Sequence, residues 1–131
     1  MIALDGSALL AILLDEDDAD RCIDALSGEA NLIISAASLA EALIVAEAKG
    51  VLMPLREMLA GFAPDVIDLT AERARAAAVT YERWGKGYHR AKLNVMDVFA
   101  YALAKEFDCP LLFIGNDFSR TDVRVALPPR D

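Results

Sequence analysis

The sequence predicts an α/β fold in three layers, a mainly parallel central sheet with helices packed on both faces. Short apolar runs at 2–4, 32–34 and 111–114 have the length of strands buried on both sides and lack the alternation of a strand facing water. Stretches with helical spacing separate them, the pattern of parallel strands joined by crossover helices. The 131 residues, 56% of them apolar, suit one domain around one core, expected to occupy 1–131.

The elements follow in order. Ile2 to Leu4 form a strand closed by Asp5-Gly6, and Ser7 to Leu14 a short apolar helix. The acidic run Asp15-Glu16-Asp17-Asp18 opens a second helix reaching about Leu26, where negative charge suits the positive helix end. Asn31 to Ser35 is the next strand, and a helix from about Ser38 to Lys49 stops at Gly50. A further helix spans about Met53 to Ala60 and ends at Gly61, followed by a strand from Asp65 to Leu69. Thr70 caps a long helix to about Trp84, which Gly85-Lys86-Gly87 breaks. Asn94 to Phe107 is helical, Leu111 to Ile114 a strand, and Val123 to Ala126 a last short strand before Pro128-Pro129.

Composition narrows the chemistry. A net charge of −8 argues against a broad basic surface for nucleic acid. The cations are unevenly spread, however: Arg83, Lys86, Arg90 and Lys92 fall in a ten-residue stretch without an acid. Cys22 and Cys109 have no metal or redox spacing and read as reduced core residues. One histidine, His89, disfavours a His-rich zinc site or a Ser-His-Asp triad, so any catalysis rests on carboxylates. Mean hydropathy is +0.33, yet no apolar run is long enough to cross a bilayer, and the N-terminal residues lack the basic start of a secretory signal. A cytoplasmic protein is expected.

Ligands of parallel sheets bind at the carboxyl ends of the strands. Asp5 follows the first strand, Glu41 lies one turn into the helix after the second, Asp97 falls one turn into a helix entered from the Gly-rich loop, and Asn116-Asp117 follow the strand at 111–114. Each also has a simpler role. Ser38-x-x-Glu41 and Asn94-x-x-Asp97 have capping-box spacing, Asp5-Gly6-Ser7 suits a capped turn, and Asn116-Asp117 another turn. Yet Glu41 and Asp97 sit among apolar neighbours, where an ionised acid needs a partner and a hard divalent cation is an efficient one. An oxygen-only set suits Mg²⁺ or Mn²⁺, and the chemistry it supports best is metal-assisted phosphoryl hydrolysis.

These residues resemble a known family. The opening Asp5-Gly6-Ser7-Ala8-Leu9-Leu10, the acidic Ser38-Leu39-Ala40-Glu41, the long run from Gly85-Lys86-Gly87 through Leu93-Asn94 to Asp97-Val98-Phe99-Ala100-Tyr101-Ala102-Leu103-Ala104, and Gly115-Asn116-Asp117-Phe118 with Thr121-Asp122 are similar, in order and spacing, to the VapC-type toxins among PIN-domain ribonucleases. Gly6 and Met96 depart from the residues usual at those places, and Asn116 stands where the family often has an acid. The resemblance implies a three-layer α/β/α domain, usually a homodimer, that hydrolyses RNA with Mg²⁺ or Mn²⁺ and is restrained by a VapB-like antitoxin. It also implies Asp5 and Asp97 as metal ligands, with Glu41 and Asp117 completing the pocket and Asn116 or Asp122 as alternatives for the fourth position. Ser7 would orient a ligand, and Lys86, Arg90, Lys92 and Asn116 would contact substrate, the cations holding phosphates. Trp84 and Tyr88 either stack on bases or pack, and Leu10, Leu13 and Leu14 either face the antitoxin or the core.

Three other readings compete. A haloacid-dehalogenase-like phosphatase needs a second Asp where Ser7 stands, and a receiver domain needs a phosphorylatable Asp that Asp68-Leu69-Thr70 matches poorly. A PIN-like module that binds RNA or a partner without cutting is the remaining alternative.

Overall fold

The computed structural model describes residues 1–127. The residues at 128–131, including Pro128-Pro129, lie outside the described part. Four parallel strands, β1 (Ile2–Leu4), β2 (Leu32–Ser35), β3 (Asp65–Ile67) and β4 (Leu111–Leu112), lie in the order β3-β2-β1-β4. Helices α1 (Gly6–Leu13), α2 (Ala19–Ser27), α3 (Ala36–Ala48), α4 (Leu52–Phe62), α5 (Ala71–Trp84) and α6 (Asp97–Glu106) connect them.

Alternation along the strands makes the three layers. Ala3, Ile33 and Leu111 point to one face, where they pack with Ala77 and Trp84 of α5 and Val98, Tyr101 and Leu103 of α6. Leu4, Leu32, Ile34 and Leu112 point to the other, against Leu9 of α1, Cys22 and Leu26 of α2, Ala42 and Ala46 of α3 and Leu55 of α4. The register sets Ala3 beside Ile33 on one side and Leu111 on the other, so adjacent strands bury matching faces. Both cysteines are buried and unpaired, and no described helix is long and apolar enough to cross a membrane.

Several expected boundaries move. The third helix begins at Ala36, because Ser35 accepts a hydrogen bond from Ala37 N at 3.2 Å and acts as its cap. Its side chain therefore displaces Ser38 from the capping role, and the Ser38–Glu41 box does not form. Gly61 lies inside α4; Ala63 takes the left-handed position, with φ 47°, and Pro64 prevents continuation. The helix expected from Asn94 starts at Asp97 because Asn94 serves as a capping side chain. The segment Val123 to Ala126 makes a single parallel bridge, Val125 to Leu111, rather than a strand. The third and fourth strands are also shorter than expected, at three and two residues.

The strand order places the chain's change of direction beside β1. The connection from β1 runs to β2 and on to β3, after which the chain returns to add β4 on the opposite side of β1. The crevice at the carboxyl ends of β1 and β4 is the switch point at which such sheets bind ligands.

Candidate active site

Asp5 follows β1 and caps α1. Its carboxylate accepts from Ser7 N at 3.2 Å and from Ser7 Oγ at 2.6 Å, while its own N–H donates to Leu112 O at 2.9 Å. Ser7 Oγ also accepts from Ile114 N at 3.0 Å, so one hydroxyl ties Asp5 to the chain leaving β4. The capping contact expected of Asp5-Gly6-Ser7 is made, and the Ser7 hydroxyl bonds the Asp5 carboxylate. Gly6 permits the approach of α3, since a Cβ there would lie 3.3 Å from Ala42 Cβ.

Asp97 starts α6. It accepts from Asn94 N at 2.9 Å through Oδ2, and Asn94 Oδ1 accepts from the backbone N–H groups of Met96 and Asp97, each at 2.9 Å. This reciprocal cap fixes the direction of the carboxylate but satisfies only part of it. Asp5 and Asp97 are each 8% exposed, unusually low for aspartates without a cationic partner. Glu41, half-buried on the second turn of α3, has no capping contact. Ser38, on the preceding turn beside Gly6, is 2% exposed, and its Oγ has no hydrogen-bond partner among the described residues. Asn116 and Asp117 are exposed on the loop after β4.

The electrostatics join these acids into one neighbourhood. Burial raises the Asp97 pKa to about 6; the Asn94 N–H opposes this, and the charges of Asp117, Asp5 and Glu41 reinforce it. Asp5 is also raised by burial, against the lowering effect of Ser7, with Asp117 adding to the rise. Glu41 rises through burial and the charge of Asp5. None of the four forms an ion pair among the described residues. The structure therefore brings Asp5, Glu41 and Asp117 within electrostatic reach of Asp97, and Glu41 and Asp117 each within reach of Asp5. Among the described residues no three of them are gathered tightly enough to make a ready ligand cage.

Asp122 is engaged elsewhere. It accepts from the Tyr101 hydroxyl and faces Lys105 Nζ at 3.3 Å and Arg83 Nη2 at 3.9 Å, and its pKa is lowered, first by the Tyr101 bond. Its hydrogen bond to Tyr101 and its pairing with Lys105 and Arg83 commit it away from the cluster. Asn116 contributes its backbone oxygen to Ser119 N and Oγ at 3.2 and 2.7 Å.

The basic residues Lys86, Arg90 and Lys92 are all exposed on the loop between α5 and α6, and none is ion-paired among the described residues. The loop is closed at its base, where Lys86 N donates to Leu93 O at 2.9 Å and Leu93 N to Trp84 O at 3.1 Å. Gly85 is required there by contact: a Cβ would stand 2.4 Å from Tyr81 O. Trp84 is buried, bonds Tyr101 through Nε1 and packs edge-on against His89, whose Nδ1 accepts from Ala91 N. Tyr88, 66% exposed, retains a free face beside Tyr81. Sequence reasoning missed the Trp84–Tyr101–Asp122 chain, because residues at 84, 101 and 122 show no shared periodicity.

Comparison with known proteins agrees with this architecture. A PIN domain family model matches residues 2–124. Ribonuclease VapC30 of Mycobacterium tuberculosis is 43% identical over 131 residues, covering 97% of this chain and 100% of its own length. Ribonuclease VapC of Mycolicibacterium smegmatis is 42% identical over 128 residues, covering 95% and 99%. Among solved structures, VapC20 of M. tuberculosis, described as a sarcin-ricin loop cleaving toxin, has a TM-score of 0.78 at 14% identity over 98% of this chain and 100% of that one. A toxin–antitoxin complex from Klebsiella pneumoniae matches with a TM-score of 0.70 at 17% identity over 93% of both chains. The two structural likenesses speak for the fold, while the family model and the two sequence relatives speak for descent. The chain belongs to the PIN domain family, and within it to the group of the VapC ribonucleases.

Proposed function

We propose that this protein is a divalent-metal-dependent endoribonuclease, the toxin of a toxin–antitoxin pair, working as a single domain over 1–131. The observation that carries the reading is the set of four acids near the sheet's switch point, three of them raised in pKa and none paired with a cation among the described residues. The relatives at 43% and 42% identity are named ribonucleases, which supports RNA as the substrate.

The donor set fits a hard cation. It consists of partly desolvated carboxylates without cysteine or histidine, and no cation among the described residues pairs with them. Asp5 and Asp97 would hold Mg²⁺ or Mn²⁺ directly, with Glu41 and Asp117 completing the set. Such an ion, when bound, polarises a phosphoryl oxygen and makes water acidic enough to act as a nucleophile near neutral pH. The protein's own groups supply the rest. Ser7 keeps the Asp5 carboxylate aimed from the end of β1, and Asn94 does the same for Asp97. Lys86, Arg90 and Lys92 bind the phosphates flanking the scissile one, setting register without reading sequence, and Asn116 contacts the substrate from the loop after β4. Ser7 remains a positioning group, since its hydroxyl is already committed to Asp5 and Ile114 N.

The antitoxin assignment is supported by the fold's likeness to a chain of a toxin–antitoxin complex. Uncompensated acids suit an inserted arginine or lysine, which would occupy the site in place of metal. A homodimer in the cytoplasm completes the proposal.

The test is cleavage of total cellular RNA by antitoxin-free protein in Mg²⁺ or Mn²⁺, beside Asp5→Asn and Asp97→Asn. Discrete fragments that disappear with EDTA and in both variants are expected. Intact RNA together with no metal binding by the folded protein would replace this reading with that of a non-cutting binding module.

A further inference from the structure

One hydroxyl joins the three segments bordering the acidic site. Tyr101 lies one helical turn beyond Asp97, so both side chains leave the same side of α6. Its ring is buried beneath α5, at 5% exposure. The hydroxyl accepts from Trp84 Nε1 at 3.0 Å and donates to Asp122 Oδ1. Trp84 is the last residue of α5, from which the basic loop departs. Asp122 terminates the segment 115–122 that carries Asp117.

That segment is braced from within. The hydroxyls of Ser119 and Thr121 donate to the backbone oxygens of Asn116 and Phe118 at 2.7 and 2.8 Å. Phe118 is 2% exposed and packs on Phe113, with ring centroids 4.9 Å apart. Arg120 Nη1 donates to Arg90 O at 3.2 Å, linking the segment to the basic loop. These contacts hold Asp117 and Asp122 in one braced segment, anchored between them by Phe118. A phenylalanine would fill the Tyr101 site equally well, and burying a hydroxyl is costly unless its bonds are made. Burial, followed by the bond to Asp122, pushes the Tyr101 pKa up to about 12, so the hydroxyl remains a donor across the neutral range.

We propose that Tyr101, through Asp122 and Trp84, is a positioning residue that sets Asp117 and the basic loop relative to Asp97. The proposal rests on the reading of the acids as the cleavage site.

The test compares Tyr101→Phe, Asp122→Ala, Asp122→Asn, Asp97→Asn and Arg73→Ala with the unaltered protein. Arg73 bridges α5 to α6 through Glu106 at 2.9 Å, so its loss loosens the same helix pair without touching the hydroxyl. Mn²⁺ affinity is read by calorimetry, kcat and KM from RNA cleavage, and Tm by thermal unfolding. Tyr101→Phe and Asp122→Ala should lower Mn²⁺ affinity and kcat about tenfold, the scale of lost support to metal-holding groups. Asp122→Asn keeps an acceptor for the hydroxyl and should recover most of both, whereas Arg73→Ala should lower Tm alone. Unaltered affinity and kcat in Tyr101→Phe, against their loss in Asp97→Asn, would overturn the proposal whatever happens to Tm. Should Tyr101→Phe fail to fold, Asp122→Ala decides by the same criterion, since the Asp122 side chain is 42% exposed. A wild-type protein that neither binds Mn²⁺ nor cuts RNA would overturn the acid-site reading, and this proposal with it.

Discussion

Asp97→Asn should abolish cleavage and make the metal-free protein more stable. The Asp97 carboxyl is raised from 3.8 to about 6, chiefly by burial, with Asp117, Asp5 and Glu41 adding like charge. Between those values the folded protein holds a proton that the unfolded chain releases, so this group's contribution to stability is full at low pH. It is lost as pH rises through about 6. The displacement corresponds to about 3 kcal/mol as a ceiling. Asp117 is exposed and the cluster is partly screened by water, which reduces the expected gain to about 1–2 kcal/mol. An asparagine keeps an acceptor for Asn94 N and removes the charge. The assay is thermal and urea unfolding in EDTA at about pH 7.5 and pH 4, where the variant's Tm should lie roughly 4–8 °C higher at the first and level with wild type at the second. Mn²⁺ should then raise the wild-type Tm and leave the variant's nearly unchanged, because only binding to the folded state stabilises it. A variant less stable than wild type at about pH 7.5 in EDTA would refute the reasoning, showing the carboxylate to be a net stabilising cap rather than an uncompensated charge.

Three further outcomes follow from single contacts. Ser7→Ala strands Ile114 N and frees Asp5, so urea denaturation should show a loss of about 1–3 kcal/mol alongside weakened cleavage. Gly85→Ala forces a methyl to 2.4 Å from Tyr81 O and should cost about 3 kcal/mol or more, checked by Tm; a neutral result would mean the loop base readily shifts. If Lys86, Arg90 and Lys92 hold phosphates, each alanine substitution should lower RNA affinity and reduce the slope of log affinity against log salt by about 0.7. An unchanged slope would remove that residue from the substrate path.

The order of elements was legible in the sequence because each depends on nearest neighbours along the chain. Apolar runs too short for helices, Thr70 before the long helix and the Gly85-Lys86-Gly87 break act locally, and β1, α5 and the sheet class match their expectations. The acids expected at one sheet edge, Asp5, Glu41, Asp97 and Asp117, lie close enough for charge to act between them, Asp5 and Asp117 because each follows a parallel strand. What required the tertiary structure was competition between partners. Two serines stood at the start of α3, and Ser35, not Ser38, took the cap, leaving Glu41 outside any capping box. Two acids stood near the end of the chain; Asp122 is claimed by Tyr101, Lys105 and Arg83, while Asp117 bears on Asp5 and Asp97. The last expected strand shrank to one bridge, because its pairing depends on what Leu111 offers at the sheet edge rather than on its own apolar pattern. Residue type and spacing determined which groups were available and on which elements they lay. Only the packed chain decided which of them meet, because a hydrogen bond between residues as distant as 7 and 114, or 101 and 122, is set by how layers stack and leaves no periodic trace in the sequence.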